Sequence, residues 1–150
     1  MISSDPIVFL SAKRTPIGSF LGSFARLSAP QLGAQAIQGT IASMGQYKDC
    51  VLEHIQTCVM GCVLSAGQGQ APARQALRSA GLDDVISAVT VNKMCGSGLQ
   101  SVLDLAYALS AGALDMGIAG GMESMTNAPG VLPTFRTGQK FGHQLVFDHM

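Results

Sequence analysis

Charge is scarce in this chain. Only 12% of its 150 residues are Asp, Glu, Lys or Arg, against about 25% in ordinary soluble domains. Nine basic residues balance nine acidic ones, so the formal net charge is zero. No basic patch interleaved with aromatics exists, which argues against a nucleic-acid partner. No apolar run is long enough to span a bilayer. The N-terminus lacks the charged-then-apolar pattern of a secretory signal, so a cytoplasmic, non-membrane protein is expected. There is no C-x-x-C pair. The four cysteines, Cys50, Cys58, Cys62 and Cys95, are irregularly spaced, which speaks against a secreted disulfide framework. No further ligand types cluster near them, so no metal is expected. Gly67-Gln68-Gly69 lacks the third glycine and the strand–helix setting of a dinucleotide fingerprint.

What is there is apolar. Hydrophobic residues make up 47% of the chain. A small globule needs more polar coating than a large one, so much of this surface is expected to be covered by other protein. Strand-like and helix-like stretches alternate. Residues 7–12 read as a first strand. Residues 30–44 read as a helix with Ala34, Ile37, Ile41 and Met44 on one face. Residues 55–63 read as a second strand, with Cys58 and Cys62 on one sheet face in a structural role. Residues 72–80 read as a short helix that opens at Pro72 and stops at Gly81. Residues 88–91 read as a short buried strand, 97–111 as a helix, and 116–119 as a fourth strand. This order predicts an α/β fold with a mainly parallel sheet and right-handed crossovers. The helix over 97–111 is apolar nearly all round, with Asp104 its single charge, which is the pattern of a buried helix. From about Thr126 the composition turns to Gly, Pro and mixed polar residues, as in a functional loop.

Chemistry concentrates at Val91-Asn92-Lys93-Met94-Cys95-Gly96-Ser97-Gly98-Leu99. A β-like run ends in a cysteine, two glycines follow and a helix begins. Ser97 and Gln100 form an S-x-x-Q pattern that predicts a capping box near Ser97. Gly96 and Gly98 permit positive φ and close backbone approach. A thiol on such a turn sits at the positive end of a helix dipole, where the thiolate is favoured. The arrangement has the logic of a nucleophile elbow with sulfur in place of oxygen. The other reading is an inert buried cysteine.

Asn92-Lys93-Met94-Cys95-Gly96-Ser97-Gly98 resembles the active-site cysteine motif of the thiolases, the acetyl-CoA acetyltransferase family. Three further segments resemble that family in its order and spacing. They are Lys13-Arg14-Thr15-Pro16-Ile17-Gly18, Gly67-Gln68-Gly69-Gln70-Ala71-Pro72-Ala73-Arg74-Gln75, and Ala119-Gly120-Gly121-Met122-Glu123-Ser124-Met125-Thr126-Asn127-Ala128-Pro129. The second carries Ala71 where the family usually has Asn. The resemblance implies a thiolase-like N-terminal βαβαβαβ unit over residues 1–125, incomplete, and the start of a substrate-covering loop region over residues 126–150.

The resemblance implies an acyl-CoA C-acyltransferase that forms or cleaves 3-ketoacyl-CoA, with Cys95 as the acyl-thioester nucleophile. Gly96 is expected in the loop that forms the oxyanion hole, and Gln70 close to it. Asn92, Lys93 and Glu123 are expected in structural hydrogen bonding. CoA and acyl-CoA are substrates, and no cofactor is expected. Family members are more than twice this length. They carry a G-H-P histidine, a C-x-G-G-G cysteine and an N-E-A-F asparagine, none of which occurs here. None of His54, His143 and His149 matches that histidine. Arg136, Lys140 and His143 read as parts of a solvated loop. The chain is therefore expected to be an N-terminal portion, inactive alone, of a homodimer or homotetramer that needs a C-terminal half. Two alternatives stand beside this: a non-catalytic, partner-dependent assembly subunit, and a related ketoacyl-synthase-like condensing enzyme. Asn92-Lys93 and the Gly-Gly-Met-Glu-Ser run argue against the second.

Overall fold

The computed structural model describes residues 5–150. Helix α1 (Ala29–Ala42) opens on a capping box that the pattern reading did not pick out. The Ser28 Oγ accepts the Gln31 N–H, and the Gln31 side chain accepts the Ser28 N–H. Two orphan donors of the first turn are thereby satisfied. A 3-10 turn and a short helix, α2 (Lys48–His54), lead into strand β1 (Thr57–Gly61). Helix α3 (Pro72–Ser79), strand β2 (Ser87–Val91), helix α4 (Ser97–Ser110) and strand β3 (Gly117–Gly121) follow. A two-stranded antiparallel ribbon, β4 (Gly130–Val131) with β5 (Phe147–Asp148), lies in the exposed C-terminal stretch.

The main sheet is parallel, in the order β2-β1-β3. Thr57 aligns with Ser87 and Gly117, and Gly61 aligns with Val91 and Gly121. The alternating α/β class is as expected, but two strand readings need correction. Residues 7–12 form no strand. They carry no regular secondary structure and bend at Leu10, with Val8 and Phe9 exposed and no ladder partner among the described residues. They cover a groove of about 580 Å³ whose other walls are β3, α1 and α4. An apolar run defines a strand only when an edge is there to pair with it. Strand β2 is not buried: it is an edge strand of the sheet, and Val89 is 46% exposed.

Side chains alternate across β1. Cys58, Met60 and Cys62 join the core with Ile37 and Ile41 of α1 and Ala73, Ala76 and Leu77 of α3. This is the single-face placement expected for the two cysteines. Helices α1 and α3 come close because Gly33 leaves room: a Cβ there would lie 2.7 Å from the Met122 sulfur and 3.3 Å from the Ala76 Cβ. The opposite residues, Thr57 and Gly61, face α4. A Cβ on Gly61 would lie 2.5 Å from the Ser97 carbonyl carbon, and one on Gly121 would lie 3.1 Å from the Gly98 Cα. Gly61 and Gly121 thus let the first turn of α4 rest backbone-on-backbone at the C-terminal end of the sheet. Helix α4 buries Ser97, Ser101 and Leu105, while Leu99, Leu103 and Tyr107 point outward. The expected burial on all sides is not met, because nothing among the described residues covers the outer stripe.

Candidate active site

Strand β2 delivers the chain to the turn at residues 92–96, and α4 carries it away. The turn is held by short-range bonds. The Asn92 Oδ1 accepts the Met94 N–H at 3.0 Å. The Lys93 carbonyl accepts the Gly96 N–H, and the Met94 carbonyl accepts the Ser97 N–H, both at 3.0 Å. Cys95 is exposed at the tip of this turn, and its thiol forms no hydrogen bond among the described residues. The first-turn N–H groups of Gly98 and Leu99 meet no acceptor among the described residues, and the N-cap, Gly96, supplies no side chain. Those donors and the helix dipole favour a negative charge beside Cys95.

Three details differ from the sequence reading. Positive φ falls on Met94 (φ 50), while Gly96 sits at φ −89. Glycine is needed instead on the strands beneath, at Gly61 and Gly121, where a Cβ would press on the first turn of α4. The capping box between Ser97 and Gln100 does not form. Ser97 is the first helical residue, and Gln100 turns outward to accept from Lys93 Nζ at 2.9 Å and donate to Asp104. The Ser97 hydroxyl reaches back into the turn, accepting the Lys93 N–H at 2.8 Å and donating to the Met94 carbonyl at 2.6 Å. An Asn two residues before a backbone donor was the visible signal for this turn. The backward reach of Ser97 had none.

The segment at residues 62–70 runs beside this turn, with the Cys62 N–H donating to the Val91 carbonyl at 3.1 Å. Glu123 fastens it. One carboxylate oxygen accepts the Val63 N–H at 2.8 Å, and the other accepts the Leu64 N–H at 3.1 Å and lies 3.6 Å from the Cys62 Sγ. Burial, and then the Glu123 charge, push the Cys62 thiol up to about 11. Burial alone pushes Cys58 up to about 12 against a small opposing pull from Arg74. Both core thiols therefore stay protonated and unreactive at neutral pH.

Gln70 is exposed at the end of this segment, and its carbonyl accepts the Gln75 side-chain amide at 2.8 Å. The same amide donates to the Gln68 carbonyl at 2.7 Å. Ala71, at φ 48, is the N-cap of α3 and lends no side-chain acceptor. Thr90 of β2 substitutes, its hydroxyl accepting the Ala73 N–H at 3.0 Å. Of the histidines, His149 accepts the Ala66 N–H at 3.3 Å. His54 bonds to the Cys50 carbonyl on its own helix, and His143 is exposed.

An exposed thiol at the end of a parallel sheet, beside free helix N–H groups, is equipped to attack a carbonyl carbon. Comparison with known proteins gives the family. A family model described as Thiolase, N-terminal domain, matches residues 7–150. The chain is 43% identical over 148 residues to a cytosolic acetyl-CoA acetyltransferase of Gibberella zeae, covering 99% of this chain and 36% of that protein. It is 47% identical over 126 residues to the human mitochondrial acetyl-CoA acetyltransferase, covering 84% of this chain and 29% of that one. The crystal structure of a thiolase from Ascaris suum in complex with coenzyme A superposes with a TM-score of 0.84 at 35% identity, over 93% of this chain and 35% of that one. The chain thus spans about a third of the length of the relatives it matches.

Proposed function

The chain belongs to the thiolase family, and from that premise we propose that it carries the acyl-accepting half of an acyl-CoA C-acyltransferase, with Cys95 as nucleophile. The carrying observation is the exposed Cys95 thiol at the uncapped first turn of α4. In the proposed reaction the Cys95 sulfur bonds to the thioester carbonyl carbon of an acyl-CoA. Its proton passes to a base outside this chain's own site. The bond from carbon to the CoA sulfur breaks, and the CoA thiolate leaves and takes up a proton. Free N–H donors near the turn stabilise the oxyanion that forms on the way. In the complete enzyme the acyl group then passes to the carbanion of a second acetyl-CoA, giving a 3-ketoacyl-CoA; the reverse direction cleaves one. Gly96 and Gln70 belong to the walls of this site in our reading. The thioester supplies the activation, so no cofactor beyond CoA is invoked.

No helix of the described residues is long and apolar enough to cross a membrane. We place the protein in the cytoplasm, like its cytosolic Gibberella zeae relative, and read it as part of a homo-oligomer. The outward stripe of α4 and the groove beside β3 favour a second element of the proposal: the chain acts together with further polypeptide that covers both. Incubating the protein, with and without a C-terminal thiolase portion, with labelled acetyl-CoA and mapping the peptides tests the reading. Label on Cys95, lost in Cys95→Ser, is the expected result. Label on Cys50, or none with the added portion, would overturn it.

A further inference from the structure

We infer that Ser97 is a positioning residue for Cys95: its hydroxyl locks the left-handed Met94 turn that presents the thiol. The inference rests on the reading of Cys95 as nucleophile. Met94 has φ 50, a conformation that non-glycine residues seldom adopt and that persists only when surrounding structure over-determines it. Its side chain does not hold it there, being 72% exposed. The holding groups are polar. Asn92 takes the Met94 N–H. Ser97, 4% exposed, takes the N–H of the preceding Lys93 and donates to the Met94 carbonyl. One hydroxyl therefore ties the backbone on both sides of the strained residue. Ser97 itself lies close over β1, where a Cβ on Gly61 would come within 2.5 Å of its carbonyl carbon. Sheet, Ser97 and Met94 form a rigid series that ends at Cys95.

Without the hydroxyl, Met94 is free to relax toward negative φ and to swing Cys95 away from the first-turn N–H groups. With glycine at position 94 there is no strain to hold, and the hydroxyl matters less. The chain carries its own controls. Cys50 is an exposed thiol remote in sequence from the turn, and Cys58 and Cys62 are buried.

The test is alkylation of the 150-residue chain with iodoacetamide, read peptide by peptide, as the ratio of Cys95 to Cys50 labelling. Ser97→Ala is expected to lower that ratio about tenfold, as the thiol swings away from the first-turn N–H groups. Cys58 and Cys62 remain unlabelled. In a Met94→Gly background the same substitution is expected to change the ratio less than threefold, the non-additivity of coupled residues. An unchanged ratio in Ser97→Ala, an equal loss in the Met94→Gly background, or concurrent labelling of Cys58 and Cys62 would each overturn the inference. Alkylation needs no acyl transfer, so failure here is distinct from failure of Cys95 to accept an acetyl group.

Discussion

The two faces of the parallel sheet are built on different principles. On the face toward α1 and α3, side chains do the work. Met60, Cys58, Cys62, Ala76 and Leu77 lie at 0–2% exposure, and helices and strands meet through interdigitated apolar groups. On the face toward α4 the contact is backbone on backbone, through Gly61, Gly98 and Gly121, and the helix keeps an apolar stripe in solvent. The first face supplies hydrophobic stabilisation. The second fixes the position of one turn. A nucleophile must be held to within a fraction of an ångström, and glycine contacts leave no rotamer to relax. The proposed site lies on the second face.

The largest expected effect comes from emptying the first face. Leu77 is fully buried, so Leu77→Ala should destabilise the fold by about 2–5 kcal/mol. Leu99, on the open stripe of α4, is 67% exposed, and Leu99→Ala should change stability by less than about 0.5 kcal/mol. Urea midpoints of the two variants measure the contrast, and equal losses would break it. Next comes the glycine seat. A Cβ at position 61 would meet backbone atoms at 2.5–2.7 Å, which no rotamer change can clear. Gly61→Ala should cost about 1–3 kcal/mol and displace the start of α4, so amide exchange should quicken at residues 97–100 more than in α3.

A pH titration sharpens the comparison further. Cys62 and Cys58 are pushed from an ordinary 9.0 up to about 11 and about 12. Above pH 9 the unfolded chain sheds these thiol protons while the folded chain keeps them, so stability falls with rising pH. The contribution is fully present below 9 and is lost as pH climbs toward the folded values. The urea midpoint should drop between about pH 9 and about pH 11, and the drop should be smaller in Cys58→Ala/Cys62→Ala. An undiminished drop would mean that the core thiols are not what titrates.

Much of this was legible in the amino-acid pattern. The helices over 29–42 and 97–110 showed in their apolar residues, and the turn at Cys95 showed as a strand, two glycines and the start of an apolar helix. The strand over 7–12 misled because Ile7 to Leu10 has a strand's composition, whereas pairing depends on a neighbour that pattern cannot supply. Ser97 misled in a subtler way. A serine three residues before a glutamine at a helix start fits a forward-facing cap, but the hydroxyl found two backbone partners behind it. Local propensity names the donor and acceptor types; the path of the preceding turn decides which of them meet. The sheet-facing glycines were visible as glycines, yet the atoms they make room for come from elements distant in sequence.

The smallest effect lies at Ala71, where the loop beside the site carries strain that no side chain relieves. Its φ of 48 and ψ of 66 are left-handed, and it caps α3 without an acceptor of its own. Asparagine visits this conformation more readily than alanine, because its short amide can bond to nearby backbone. As an N-cap it also offers an oxygen to the first-turn N–H groups. The exposed position leaves room for it. Ala71→Asn should therefore stabilise the chain by about 1 kcal/mol, seen as a higher urea midpoint with an unchanged slope. A loss of stability would mean that Thr90, which already holds the Ala73 N–H, meets all of the capping demand and that the left-handed turn is held by the packing of Pro72 behind it.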